Sequence, residues 1–375
     1  PGQPGVLDNP TGCGNALDFE EPFVQQLYQQ ALVSWRRVWH IDGVRFDLGG
    51  IQHGGRGGYY DENPFGRRMK AHPVIAAMEP HIYEPWIGNG NNLYQVPPRP
   101  GRAVWHAEGR DAFRLFARGD HGSLGKMIAV LTGSRLFFPP AECGDYPAVA
   151  YITSHDGFNF AQRLLHNHKS NDDGHDNELS WDCGNDPALR WRIYKMSMAL
   201  LLFSPLPMIR AGDEVLYYPG NADNNPYDEG DEVNGVDLLH SCGAAYEYCR
   251  GILALRRRHP TLGRMFFDTP PYGCYTSCGC PMGNTTWNTA KIMETSLLLP
   301  GSGAKIPQRG ESADLLLMIN GYHEGSCTMQ VPHPARGTRW VRVLQTDLDE
   351  PFAEHALEKQ EMSLPYRSAA LLVAR

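Results

Sequence analysis

The chain contains 375 residues, enough for roughly two or three domains of ordinary size, and 42% of its residues are hydrophobic. This composition predicts a folded protein and excludes a small module held together mainly by disulfides or metal. Asp and Glu outnumber Lys and Arg by 42 to 34, which gives a net charge of −8. A chain with that balance lacks the global positive field that attracts nucleic acid.

The longest apolar runs, such as residues 196–203, are far shorter than the roughly 20 residues of a membrane helix, so we predict no membrane partner. Nine scattered cysteines favour a reduced compartment over a disulfide framework. Cys274, Cys278 and Cys280 cluster, but neither a second Cys pair nor a His pair completes a tetrahedral zinc site. We therefore predict loop or buried thiols here, and no metal.

Helices and strands alternate through the first two thirds of the sequence. Hydrophobic residues at steps of three and four predict helices at residues 22–39, 74–78, 188–203 and 244–258. Short apolar runs that end in Gly or polar residues predict strands at 41–48, 81–84, 148–154 and 207–211. This alternation indicates parallel α/β units, whose active sites form at the carboxyl ends of the strands.

The pattern changes after about residue 264. Apolar or alternating runs predict strands at residues 314–320, 328–331, 340–344 and 369–373, with Gly and Pro between them and no helices. We expect residues 265–375 to form an antiparallel β domain.

Three acidic residues stand at the ends of predicted strands: Asp47, Glu84 and Asp156. Cleavage of a glycosidic bond needs a carboxylate nucleophile and a carboxylic acid that protonates the leaving oxygen. Arg45 lies two residues before Asp47, hence on the same face of its strand, where its charge would keep Asp47 ionised. His155 and Trp86 would contact sugar hydroxyls and a ring face.

These strand ends carry recognisable motifs. Residues 42–48 (DGVRFDL), 84–86 (EPW) and 155–158 (HDGF) resemble three ordered signature segments of the α-amylase superfamily. Other segments resemble the isoamylase and glycogen-debranching branch of glycoside hydrolase family 13: residues 12–15, 131–134, 167–177, 180–184, 211–214, 220–221 with 224–227, and 314–320.

The resemblance implies a TIM (β/α)8 barrel followed by an antiparallel β-sandwich domain. Residues 1–264 would hold barrel strands four to eight with their helices, and residues 265–375 the β domain. No segment resembles the family's first signature, on the third barrel strand. We therefore expect strands one to three to lie upstream of Pro1, in an N-terminal part that this chain would need as a partner.

The same resemblance implies retaining hydrolysis of α-1,6 branch linkages in glycogen, amylopectin or limit dextrins, without a cofactor. Asp47 would be the nucleophile, Glu84 the general acid/base and Asp156 the group that stabilises the transition state. The implied substrate-binding residues are Arg45, Trp86, His155, Asn225 and Tyr227. Retention predicts that the carboxyl groups of Asp47 and Glu84 lie about 5 to 5.5 Å apart. The expected location is the cytoplasm, or a plastid in a starch-storing organism.

Two other functions remain open from the sequence. A related α-glucan transglycosylase would use the same three acids and differ in the acceptor that resolves the covalent intermediate. A degenerate glucan-binding fragment is favoured by the missing strands and by Ile87, because the family normally has Asp after the Pro-Trp pair.

Overall fold

The computed structural model describes residues 9, 11, 14–53, 64–86, 96–134, 137–138, 143, 147–226, 230, 235–237, 242–264, 273–283, 286, 289, 291–301, 313–334 and 337–375. The chain divides into two compact units. The first comprises Pro1–His106 with Arg135–Val149, and the second comprises Ala107–Ser134 with Ala150–Arg375. The domain boundary expected near residue 264 stays a prediction.

A parallel sheet of four strands forms the centre of the first unit. Its strands are β1 (Val44–Phe46), β2 (His81–Tyr83), β3 (Arg102–Trp105) and β4 (Ala148–Val149), in the order β1-β2-β3-β4. The sequence predicted the regions of β1, β2 and β4 as strands. It did not predict β3, because the apolar run in that strand is only three residues long and is flanked by Arg102 and His106.

Three helices of the first unit are described: α1 (Pro22–Val38), α2 (Pro64–Ala71) and α3 (Pro73–Ala76). Proline stands at the first turn of α1, where the missing N–H costs nothing. The helix predicted at residues 22–39 is therefore confirmed. Phe46, Tyr83 and Val104 of the sheet pack in one core with Leu32 of α1 and Phe65 of α2.

The second unit begins with helical structure. Its helices are α4 (Ala107–Arg118), α5 (Leu124–Leu131), α6 (Phe160–Leu165), α7 (Pro187–Phe203) and α8 (Gly243–Arg258). The predictions for α7 and α8 are confirmed. Helix α7 starts where the Asp186 side chain accepts a hydrogen bond from the Ala188 N–H, a typical N-cap. No helix of the described residues is long and apolar enough to cross a membrane.

The strands predicted at residues 148–154 and 207–211 are much shorter in the structure. Strand β4 has two residues, and the described part of the second segment makes one parallel bridge, between Ala150 and Pro207. A 3-10 turn at Asp213–Val215 follows that bridge. The polar residues of these segments therefore sit in turns and caps rather than on long strands.

Antiparallel sheets make up the rest of the second unit. The strands are β5 (Gly273–Tyr275), β6 (Glu294–Leu299), β7 (Leu315–Asn320), β8 (Ser326–Gln330), β9 (Trp340–Gln345), β10 (His355–Ala356), β11 (Glu361–Pro365) and β12 (Ser368–Ala374). Six form a sheet in the order β10-β9-β12-β7-β6-β5, and β11 pairs with β8. Alternate residues such as Leu316 and Leu372 pack against Met329 and Leu364, so the core lies between the two sheets. The predicted antiparallel β structure is confirmed.

A buried arginine connects two parts of this unit. Arg367 is 1% exposed and donates hydrogen bonds to the carbonyl oxygens of Phe116 (3.2 Å), Arg118 (2.8 Å) and Gly321 (2.9 Å). The first two carbonyls belong to the last turn of α4, where the Phe116 carbonyl also accepts a hydrogen bond from the Gly119 N–H at 3.0 Å. Burial lowers the pKa of Arg367 to about 10, so the guanidinium remains charged at neutral pH.

We expect Arg367→Met to lower the free energy of unfolding by about 3 kcal/mol, because it removes the hydrogen bonds that a buried guanidinium donates to three carbonyl oxygens. Denaturant unfolding followed by circular dichroism measures this loss. Arg250→Met is the matched control, since Arg250 is 68% exposed and pairs with Glu247 at the surface. Equal effects of the two substitutions would contradict a structural role for the Arg367 hydrogen bonds.

Candidate active site

The backbone pairing of β1 with β2 continues beyond the ends of both strands. The Glu84 N–H donates to the Phe46 carbonyl (3.0 Å), and the Gly49 N–H donates to the Glu84 carbonyl (2.8 Å). The Gly50 N–H then donates to the Trp86 carbonyl (3.0 Å). The segment that carries Asp47 is therefore held beside the segment that carries Glu84.

Gly49 permits this close approach. A Cβ atom at position 49 would lie 2.6 Å from the Tyr83 ring and 2.9 Å from the Glu84 carbonyl oxygen. Real Cβ atoms do not come this close to backbone, so any other residue would push the two segments apart. Here the glycine of the sequence serves packing rather than a turn.

Arg45 joins the two candidate catalytic acids of the first unit. Its Nη1 lies 2.6 Å from Asp47 Oδ1, and its Nη2 pairs with Glu84 Oε1. The Trp105 ring covers the guanidinium, with 4.4 Å between the ring centroid and Arg45 Cζ. The sequence predicted the partnership of Arg45 with Asp47, whereas the contact with Glu84 was not predicted. This guanidinium supplies positive charge to both carboxylates.

The two carboxylates have different surroundings. The Asp47 side chain is 65% exposed, while that of Glu84 is 3% exposed. The Leu48 N–H donates to Glu84 Oε2 at 2.9 Å, from a backbone with φ of 39° that non-glycine residues rarely adopt. Asp47 and Glu84 each place a carboxylate oxygen within 4.8 Å of the other. The arrangement offers an accessible carboxylate beside a buried one.

Two residues near this pair were missed by sequence reasoning. Trp105, which covers Arg45, ends the strand β3 that the sequence did not predict. Tyr28 of α1 lies near enough to Asp47 to respond to its charge, since burial first and then that charge raise the pKa of Tyr28. Tyr28 falls on the predicted helix, but nothing in the sequence indicates that its ring approaches a strand end.

The second unit holds the third acid predicted from the sequence. Asp156 is 56% exposed, and its Oδ2 lies 3.6 Å from Nε2 of His155, which is 45% exposed. The next residue, Gly157, has φ of 80°, and its N–H donates to the Asn224 carbonyl at 3.1 Å. A Cβ at this position would lie 2.7 Å from His175 Nε2. Glycine therefore lets the chain turn tightly just after the acid.

A buried carboxylate anchors the turn that carries Asp156. Glu178 accepts hydrogen bonds from the Phe158 N–H (3.1 Å) and from Asn224 Nδ2 (2.7 Å). Its charge faces Arg114, whose Nη1 lies 3.8 Å from Glu178 Oε2 and whose Nε donates to the Ile152 carbonyl at 2.8 Å. Glu178 and Arg114 are both buried, and neither was predicted as part of the site.

The remaining predicted substrate-binding residues have separate positions. Trp86 is half-buried and follows Glu84. The Asn225 amide donates to the Asp173 carboxylate, and the Asn225 N–H donates to Asp223 Oδ1 at 2.7 Å. Tyr227 lies outside the described residues. The roles of these three residues stay predictions.

Asp213 is a second buried carboxylate that contacts the segment around Asp156. It is buried, and its carboxylate accepts hydrogen bonds from the Phe160 N–H (2.8 Å) and the Thr153 hydroxyl. Burial raises the pKa of Asp213 to about 6, although these hydrogen bonds and Arg210 act in the opposite direction. Asp213 is thus a structural group that links its own 3-10 turn to the residues on both sides of Asp156, through Thr153 and Phe160.

This raised pKa predicts a pH-dependent stability. The folded state binds the Asp213 proton more tightly than an unfolded chain with a value near 3.8 does. The stabilisation is complete below pH 3.8 and is lost as the pH rises through about 6. We expect the stability of the wild type relative to Asp213→Asn to fall by roughly 2 to 3 kcal/mol across that range.

Chemical unfolding at a series of pH values measures this difference. Asp42→Asn is the control, because the Asp42 side chain is 87% exposed, and its stability curve should run parallel to that of the wild type. A wild-type advantage over Asp213→Asn that stays constant between pH 4 and pH 7 would show that Asp213 does not titrate as described.

Comparison with known proteins gives consistent relatives, although no family model matches the chain. It is 28% identical over 400 residues to the "Glycogen operon protein GlgX homolog" of Mycobacterium tuberculosis, covering 96% of this chain and 54% of the relative. It is 27% identical to "Isoamylase 3, chloroplastic" of Oryza sativa (92% and 45%). It is 28% identical to the "Glycogen debranching enzyme" of Pectobacterium atrosepticum (90% and 54%). The chain spans about half the length of the curated relatives it matches.

Solved structures support the fold. The pullulanase of Bacillus acidopullulyticus matches with a TM-score of 0.72 at 19% identity, covering 98% of this chain and 42% of that one. A pullulanase of Anoxybacillus sp. complexed with maltotetraose matches with a TM-score of 0.71 at 18% identity, covering 99% and 49%. The names of these curated relatives confirm the family resemblance that the sequence motifs indicated. The chain is related to the isoamylase and glycogen-debranching branch of the α-amylase superfamily, glycoside hydrolase family 13.

Proposed function

We propose that the protein is a retaining glycoside hydrolase that cleaves α-1,6 branch linkages in glycogen, amylopectin or limit dextrins. The observation that carries this proposal is the pair Asp47 and Glu84, joined by Arg45, with carboxylate oxygens within 4.8 Å of each other. Such proximity fits double displacement, which uses carboxyl groups about 5 to 5.5 Å apart. Inverting enzymes need roughly 6.5 to 9.5 Å, which leaves room for a water molecule.

In the first step, Asp47 attacks the anomeric carbon while Glu84 gives a proton to the leaving oxygen. Asp47 suits attack because its carboxylate is exposed and pairs with the Arg45 guanidinium. Burial and the nearby negative charge of Asp47 favour a protonated Glu84, while Arg45 and the Leu48 N–H favour an ionised one. The surroundings of Glu84 therefore support both of the protonation states that the two steps require.

In the second step, Glu84 takes a proton from water, which attacks the glycosyl-enzyme. The charge of Asp47 is absent while it is esterified to the sugar, so Arg45 then faces Glu84 as the one remaining carboxylate of the pair. This change favours an ionised Glu84, which is the form that a general base requires. Sharing one guanidinium lets the same residue act as acid and then as base.

Further parts of the proposal come from the resemblance. Asp156, exposed beside His155, would stabilise the oxocarbenium-like transition state. Residues 1–264 would contribute strands four to eight of a (β/α)8 barrel, and residues 265–375 its C-terminal β domain. Several relatives carry names from glycogen metabolism and one is chloroplastic, which supports a branched α-glucan substrate and either a cytoplasmic or a plastid location.

Substitution of the two acids tests the mechanism. We expect Asp47→Asn and Glu84→Gln each to lower kcat on amylopectin by a factor of 100 or more, about the range for loss of a nucleophile or acid/base group. Release of new reducing ends measures the activity. Asp42→Asn is the matched control, because Asp42 lies on the approach to β1 but pairs with Arg36 at the surface.

A glucosyl donor with a fluoride leaving group separates the two roles. Fluoride needs no protonation to leave, so Glu84→Gln should still form a covalent glycosyl-enzyme on Asp47, which peptide mass spectrometry detects. Asp47→Asn should form none. Full activity of Asp47→Asn would contradict hydrolysis by this site. Binding to amylopectin by an inactive wild type would support a glucan-binding protein, and longer rearranged chains in the products would support a transglycosylase.

A further inference from the structure

Two exposed cysteines, Cys278 and Cys280, are separated by one residue in the turn that follows β5. Hydrogen bonds close this turn: the Gly279 N–H donates to the Thr276 carbonyl, and the Thr276 N–H donates to the Cys280 carbonyl, both at 2.9 Å. Gly279, between the cysteines, has φ of 78°. The turn therefore holds both thiols at the surface with no side chain between them.

The surroundings of Cys278 favour the thiolate. The Thr276 hydroxyl oxygen lies 3.0 Å from Cys278 Sγ, and this hydrogen bond is the main cause that lowers the pKa of Cys278. A further contribution comes from Cys280, whose own pKa is raised chiefly by the hydrogen bond to Cys278. The contact with the Thr276 hydroxyl therefore makes Cys278 the stronger nucleophile of the two.

Three buried cysteines have surroundings that disfavour the thiolate. Cys183, Cys249 and Cys274 are buried, and burial raises the pKa of each thiol to about 12, 11 and 12, respectively. A buried thiol with a raised pKa is inert towards disulfides. Reactivity should therefore differ sharply between the turn and the core.

The chain geometry allows the two sulfurs to bond. Consecutive Cα atoms are about 3.8 Å apart, so residues separated by one position in a closed turn fall within the roughly 4.4 to 6.8 Å that a disulfide spans. A metal is less suited to the pair. Among the residues that the structure describes, no group of three or more metal-ligating side chains includes Cys278 and Cys280, whereas structural zinc takes four ligands.

We propose that Cys278 and Cys280 form a thiol–disulfide exchange site for low-molecular-weight disulfides such as oxidised glutathione. The Cys278 thiolate attacks one sulfur of glutathione disulfide, which forms a mixed disulfide and releases one glutathione thiolate. Cys280 then loses its proton to solvent and attacks Cys278 Sγ, which forms the Cys278–Cys280 disulfide and releases the second glutathione. Two electrons pass from the two cysteines to glutathione disulfide, which becomes two glutathione molecules.

The experiment incubates the purified protein in glutathione buffers of graded redox potential, followed by alkylation of free thiols and peptide mass spectrometry. We expect the peptide with both cysteines to lose two hydrogen atoms, while Cys183, Cys249 and Cys274 remain alkylatable after unfolding. Cys280→Ser should trap glutathione on Cys278. Cys278→Ser should react about tenfold more slowly at Cys280, because its thiol lacks the Thr276 contact.

Thr276→Val tests the cause of this reactivity. Removal of the hydroxyl should move the pH profile of Cys278 modification to higher pH, an effect that mere loss of packing would not produce. Two results would overturn the proposal. One is a disulfide between either cysteine and the half-buried Cys327 in place of the Cys278–Cys280 bond. The other is equal modification rates at Cys278 and at the half-buried Cys242.

Discussion

The Arg45 guanidinium pairs with Asp47, just after the end of its own strand, and with Glu84, just after the end of the neighbouring strand, and Trp105 covers its face. Two carboxylates this close would otherwise repel each other, and burial would favour a neutral Glu84. The positive charge makes the pair compatible with the fold while leaving Asp47 exposed. The candidate site of the first unit depends on the charge of Arg45, because this charge offsets the repulsion between the carboxylates of Asp47 and Glu84.

The backbone makes that interaction possible. Parallel pairing of β1 with β2 continues beyond the strand ends, through Gly49, so that the residues after Phe46 and after Tyr83 leave the sheet side by side. Carboxyl ends of parallel strands share one edge of a sheet, which explains why acids distant in sequence meet there. Strand β3 completes the arrangement, since it ends at the aromatic residue that covers Arg45.

The second unit uses buried carboxylates to hold an exposed one. Glu178 and Asp213 accept backbone hydrogen bonds just after the turn of Asp156, and both are buried. Asp213 belongs to a family-like segment, as does Asn224, yet the contacts of both are structural. A motif therefore combines residues that serve chemistry with residues that shape the chain around them. Exposure and hydrogen-bond partners separate the two kinds, and spacing in the sequence does not.

Sequence alone determined the features that depend on local order. The apolar periodicity located α1, α7 and α8, and the strand-end motifs identified Asp47, Glu84 and Asp156 as candidate acids. Local patterns carry this information because neighbouring residues along a helix or strand share a face. The pairing of Arg45 with Asp47 was predictable for the same reason, since the two residues are two positions apart at the end of one predicted strand.

The tertiary structure decided which distant groups meet. Arg45 contacts Glu84, and the Trp105 ring covers the Arg45 guanidinium, although these residues come from separate strand segments. Tyr28, from helix α1, lies near enough to Asp47 for its pKa to respond to that charge. Burial of Asp213 and of Glu178 likewise depends on chain segments that pack around them from elsewhere in the sequence. Charge, burial and hydrogen bonding act through space, so the chemical character of each acid is set by neighbours that no local pattern records.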